Sequence, residues 1–104
     1  MTGLAYKGVV DRDKWLAKHP GDSETIWPFA VGDIVEDSPR GGFYAWRQLG
    51  DMPLSWFDDD CRRIVEIEYD DADKLRPNYN KYLRVSRLRV VRDVCREEHP
   101  GWNS

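Results

Sequence analysis

The chain has 104 residues, which is room for one domain and not for two independent cores. Its 40% hydrophobic content, with five Trp, five Tyr and three Phe, excludes wholesale disorder, since each aromatic ring can bury roughly 150–250 Å². A net charge of −3 argues against a strongly basic, nonspecific nucleic-acid binder and falls short of the acidity of a duplex-DNA mimic.

In chain order, Tyr6 to Val10 reads as a short strand. Asp11 is placed to cap a short helix through Asp13, Lys14, Trp15, Leu16 and Lys18, with the acid early and the lysine late, as the helix dipole prefers. His19-Pro20-Gly21 stops it, and residues 20–28 read as loop. Val31 to Glu36 reads as a turn feeding a strand, Asp37 to Gly42 as a turn or mobile loop, and Phe43 to Leu49 as an aromatic-rich strand. Gly50 to Asp60 is irregular.

Arg62 to Tyr69 carries the clearest alternation: Arg63, Val65, Ile67 and Tyr69 on one face, Arg62, Ile64, Glu66 and Glu68 on the other. A polar connection, Asp70 to Asn80, precedes two further strands, Lys81–Val85 and Arg87–Val94, which meet at a bend near Ser86. The same alternation brings Val65, Ile67, Leu83, Val85, Leu88 and Val90 into one interior. Residues after Cys95 read as a polar tail pinned by Trp102.

About five short strands with little helix imply a mainly β (or α+β) single domain. It divides into residues 1–28 as an N-terminal helix and loop extension, 29–94 as the β core, and 95–104 as the tail. Either a curved antiparallel sheet or a small barrel hides the core face of so few strands. The segment Val31-Gly32-Asp33-Ile34-Val35 resembles the opening of SH3-like barrels, which implies that architecture for residues 29–94; no functional residue is carried over from it.

Charge is uneven: residues 1–60 hold six basic and eleven acidic side chains, residues 61–104 ten and eight. No run approaches the roughly 20 apolar residues of a membrane span, and the first residues lack a secretory pattern, so the expectation is cytoplasmic residence without membrane partners. Cys61 and Cys95 are then expected as free thiols.

Four constellations offer chemistry. Tyr44 and Trp46 share a strand face and, with Trp56 and Phe57, suit a groove for an extended peptide, a methylated side chain or a base; they equally suit a core. Arg87 and Arg89 project together from an arginine series that includes Arg84, Arg92 and Arg96, and suit phosphates or a partner's acids; Glu66 and Glu68 are the local alternative. Asp58-Asp59-Asp60 and Asp70-Asp71 with Asp73 match no calcium loop and read as solvated charge. His19, Cys61, Cys95 and His99 lack the paired spacing of zinc sites, and no catalytic signature is present.

These readings converge on a non-catalytic protein-binding module without cofactor or metal. Such a module is a small regulator or inhibitor, of the kind found among phage and mobile-element accessory proteins, acting by surface occupation through Tyr44, Trp46, Trp56, Phe57, Arg87 and Arg89. The alternative is a nucleic-acid-binding or transcription-associated module. A second alternative is a metal-binding protein or small enzyme. Oligomeric state is left open.

Overall fold

A computed structural model describes residues 2–21, 29–36, 42–76 and 80–102. Within them the chain forms strand β1 (Thr2–Val10), helix α1 (Arg12–Lys18), then β2 (Ile34–Glu36), β3 (Phe43–Trp46), β4 (Arg62–Asp70), β5 (Lys74–Leu75), β6 (Tyr82–Val85) and β7 (Arg87–Asp93). The seven strands make one antiparallel sheet in the order β2-β7-β4-β1-β3-β6-β5.

The mainly β reading holds, with two corrections. The sheet is open and seven-stranded rather than a five-strand barrel: β2 and β5 form its two edges. Residues 1–28 are not an extension beside the core. The expected strand at 6–10 is the second half of β1, which pairs with β4 in an unbroken ladder from Thr2↔Asp70 to Val10↔Arg62 and lies at the centre of the sheet. Thr2, Gly3 and Leu4 carry no alternation of their own, so the long partner strand, not local preference, sets this pairing. β5, two residues long, is too short to leave a periodic signal.

The helix follows β1, in the order expected. Asp11 caps it, accepting a bond from the Lys14 backbone N–H at 3.2 Å, while its own N–H donates to Cys61 O at 2.7 Å and ties the helix start to the sheet. The Val31–Glu36 reading is also realised: Gly32, at φ +94°, makes the turn that feeds β2. Most of the expected loop at 20–28, the segment 37–41 and the centre of the 70–80 connection lie outside the described residues.

Alternation places Val65, Ile67, Leu83, Val85, Leu88 and Val90 in one buried cluster with Ala5 and Phe43, as the sequence requires. Phe29, just before the edge strand β2, meets Phe43 of β3 edge-on, with centroids 5.9 Å apart. Phe29 is held there by the Arg63 guanidinium, which donates to its carbonyl, so the segment before β2 caps the inner face beside β1 and β4.

The outer face is covered as well, which explains why Ile64, Val65, Glu66 and Ile67 are buried in succession along β4. β3 ends at Trp46, earlier than expected, and the supposedly irregular stretch after it forms two 3-10 turns, Leu49–Asp51 and Leu54–Asp58. They lay Met52 against Ile64 and Val94, with Tyr6, Trp46, Leu49, Trp56 and Phe57 packed around that second cluster.

The tail beyond Cys95 docks onto this layer. The imidazole of His99, 7% exposed, has Nε2 2.8 Å from Met52 O, and Nδ1 accepts from the Gly101 N–H at 2.9 Å. Trp102 lies under the Arg96 guanidinium at 4.0 Å. Among the described residues no helix is long and apolar enough to cross a membrane.

Candidate functional site

β1 and β3 share a single register pair, Tyr6↔Trp46, against nine between β1 and β4. Past that pair the two strands border a groove of about 450 Å³. Lys7, Gly8 and Val10 of β1 line one side, Tyr44, Ala45 and Trp46 of β3 the other, and Trp56, Arg62 and Tyr82 complete it.

Its aromatic wall is rigid by mutual contact. Trp46 meets Trp56 edge-on at 6.0 Å and Tyr82 at 5.6 Å, and Tyr82 meets Tyr44 at 5.9 Å. Tyr44 is 50% exposed. Gly8 makes room for this wall: a Cβ there would come within 2.9 Å of the Trp56 ring and 3.1 Å of Arg62 Cδ.

Among the described residues two cations line the groove, and no carboxylate does. Lys7, between the inward-facing Ala5 and Val9, donates from Nζ to Tyr44 O at 3.0 Å. Arg62 is the more confined. Its guanidinium stacks on Trp56 at 4.2 Å and its side chain is 15% exposed, with Trp15 on a further side at 5.8 Å. The nearest carboxylate, Asp59, stands 3.7 Å away, beyond hydrogen-bond reach. Among the described residues no side-chain hydrogen bond engages the guanidinium.

Of the residues singled out from sequence, the fold brings Tyr44, Trp46 and Trp56 together and separates the rest. Phe57 packs against the same second cluster as Trp46 and Trp56 but does not line the groove, and it meets His99 edge-on at 6.1 Å. Arg87 and Arg89 stand on β7, separated from β3 by β4 and β1. Arg87 pairs with Glu36 at 3.5 Å and Arg89 with Glu68 at 3.3 Å. Arg92 bridges Glu66 at 3.3 Å and Glu98 at 2.7 Å, and Arg96 pairs with Asp58. Local pairing of the arginine series thus wins over projection as a group.

Around Arg92 the carboxylates form a network. Glu98 accepts the Cys95 N–H at 2.8 Å, and that bond, with Arg92, holds its carboxyl below the ordinary range. Burial, then the neighbouring Glu66, raises the Tyr6 phenol.

The acidic runs are also used locally. Asp60 pairs with Lys18, Asp59 accepts the Cys61 N–H at 2.8 Å, and Asp70 caps the turn at Asp71–Asp73. Asp59, Asp60 and Cys61 are the group of potential ligands that stand close together among the described residues. Burial raises the Cys61 thiol, whose bond to Asp60 also favours the protonated form. His19 stacks on Trp15 at 4.1 Å, and His99 is spent on Met52 and Gly101.

Sequence reasoning missed Lys7, Gly8, Arg62 and Tyr82. Arg62 was legible as an outer-face residue of β4, but its partner Trp56 sits in a stretch with no periodicity. Comparison of the chain with family models, with curated proteins and with solved structures gives no match.

Proposed function

We propose that this chain is a non-catalytic protein-binding module, a small regulator or inhibitor that acts by occupying a partner's surface, and that it docks through the groove between β1 and β3. The supporting observation is the groove itself: an aromatic wall bordered by Lys7 and Arg62, beside a half-exposed Tyr44, in a chain of net negative charge. Clefts of this size lined by aromatic rings and a few fixed polar groups suit recognition of a few side chains.

The nucleic-acid reading is weaker on two counts. Base stacking needs open ring faces, whereas Trp56 is covered by Arg62 and Trp46 is engaged edge-on by Trp56 and Tyr82. Phosphate gripping needs available arginines, whereas Arg87, Arg89, Arg92 and Arg96 each pair with a carboxylate.

The test is affinity capture from nuclease-treated extract, run with the wild-type chain and with Tyr44→Ala. A protein held by the wild type and lost with Tyr44→Ala supports the reading. Retention by Tyr44→Ala with loss in Arg87→Ala/Arg89→Ala moves the docking face to β7 and overturns it.

A further inference from the structure

We propose that the groove takes an extended acidic segment of the partner, with a side-chain carboxylate of that segment gripped by Arg62. This rests on the groove being the docking site and adds the chemistry of its occupant.

Arg62 carries the argument. A guanidinium has five N–H donors in a planar fork that fits a carboxylate with two parallel bonds. Here the fork is already fixed, stacked on Trp56 at 4.2 Å and mostly covered, so little freedom is lost when a ligand arrives. The carboxylate it pairs with, Asp59, is 3.7 Å off and makes no hydrogen bond to it. A mostly covered cation that lines a cleft, ion-paired to Asp59 only at 3.7 Å and without a hydrogen-bonded side-chain acceptor among the described residues, is a receptor for an acceptor from outside.

The rest of the groove selects the form of that acceptor. Lys7 lies along the same strand edge, and among the described residues no carboxylate lines the groove to repel a second acid. From Lys7 to Val10 the β1 side extends about 10 Å, the span of roughly three extended residues. Trp46, Tyr82 and Tyr44, meeting edge to face, form an aromatic wall for the side chain between two acids. A cationic ligand, such as a methylated lysine, would meet Arg62 and Lys7 head-on, so the aromatic rings here do not make a cation cage.

The experiment is fluorescence-anisotropy titration with labelled heptapeptides. Each has both termini blocked and a central leucine or phenylalanine flanked by two glutamates on each side; matched peptides replace the glutamates with glutamine or with lysine. The expected result is that the glutamate peptides bind, the lysine peptides do not, and the glutamine peptides bind about tenfold more weakly or worse. Arg62→Lys, which keeps the charge and removes the planar fork, should weaken glutamate-peptide binding about as much as the glutamine replacement does. A circular-dichroism melt of that variant establishes that it folds.

Equal binding of glutamine and glutamate peptides, with loss on Tyr44→Ala, keeps the groove and overturns the acidic occupant. Glutamate-peptide binding that Tyr44→Ala and Arg62→Lys leave unchanged overturns the groove as well. No binding by any glutamate peptide overturns the acidic occupant alone.

Discussion

The Arg62 guanidinium lies 4.2 Å from the centre of the Trp56 ring, joining the first residue of β4 to the turn that covers the outer face of the sheet. The contact sets one wall of the groove and depends on Gly8, where a Cβ would press on both the Trp56 ring and Arg62 Cδ. Gly8→Ala should therefore push Trp56 and Arg62 outward. The expected cost is about 1–3 kcal/mol, from overpacking against a ring that cannot retreat freely. Urea unfolding followed by tryptophan emission checks it, with a lower midpoint and a changed native spectrum.

Core and groove should respond unequally to truncation. Ile67, fully buried in the main cluster, is expected to cost about 2–5 kcal/mol on Ile67→Ala. Tyr44→Ala, at a half-exposed position, should stay within about 1 kcal/mol. Equal losses in chemical denaturation would place Tyr44 in the structural core and remove it from the docking face.

Arg87 and Arg89 pair with Glu36 and Glu68 across exposed strands. Pairs of this kind contribute about 0.2–1 kcal/mol each and fade with salt. Arg87→Ala and Arg89→Ala should each lower stability by no more than that, and the difference from wild type should shrink in 0.5 M salt (roughly a 4 Å screening length).

Glu98 sets a pH dependence. Its carboxyl is held below the ordinary 4.5 by the Cys95 N–H and then by Arg92. A depressed acid contributes fully above its unfolded value and loses that contribution as pH falls through its folded value. Wild type should thus be more stable than Glu98→Gln at neutral pH, and the two should converge as pH falls below 4.5. Thermal melts across that range read it directly.

The two thiols should separate by reactivity. Cys95 is exposed, whereas Cys61 is buried, its thiol raised by burial and by Asp60. Alkylation of the native protein is expected to label Cys95 alone, with Cys61 reacting only after unfolding.

How far the sequence carried depended on period. Where residues alternate along a strand, as in Arg62–Tyr69, Lys81–Val85 and Arg87–Val94, the six interior residues were legible, because a one-residue slip would expose the whole set. Where an element is held by its partner, the signal vanishes: Thr2–Leu4 become strand only because β4 offers a ladder, and Lys74–Leu75 only because β6 does.

The site divides in the same way. Tyr44 and Trp46 were placed together by the two-residue repeat of β3. Trp56 and Arg62 meet through a 3-10 turn that has no repeat to read, and the Arg87–Glu36 pair depends on β2 lying beside β7. Phe57 follows Trp56 in sequence yet turns to His99, because successive residues of a tight turn point apart.

Backbone amide chemical shifts of the isotopically labelled chain, followed while the captured partner or its binding segment is added, test the docking claim most directly. Changes concentrated at Lys7, Gly8, Tyr44, Trp46 and Arg62, with the Arg87–Arg89 stretch unmoved, are the expected result. Changes confined to β7 and β2, with the β1–β3 groove silent, would contradict it.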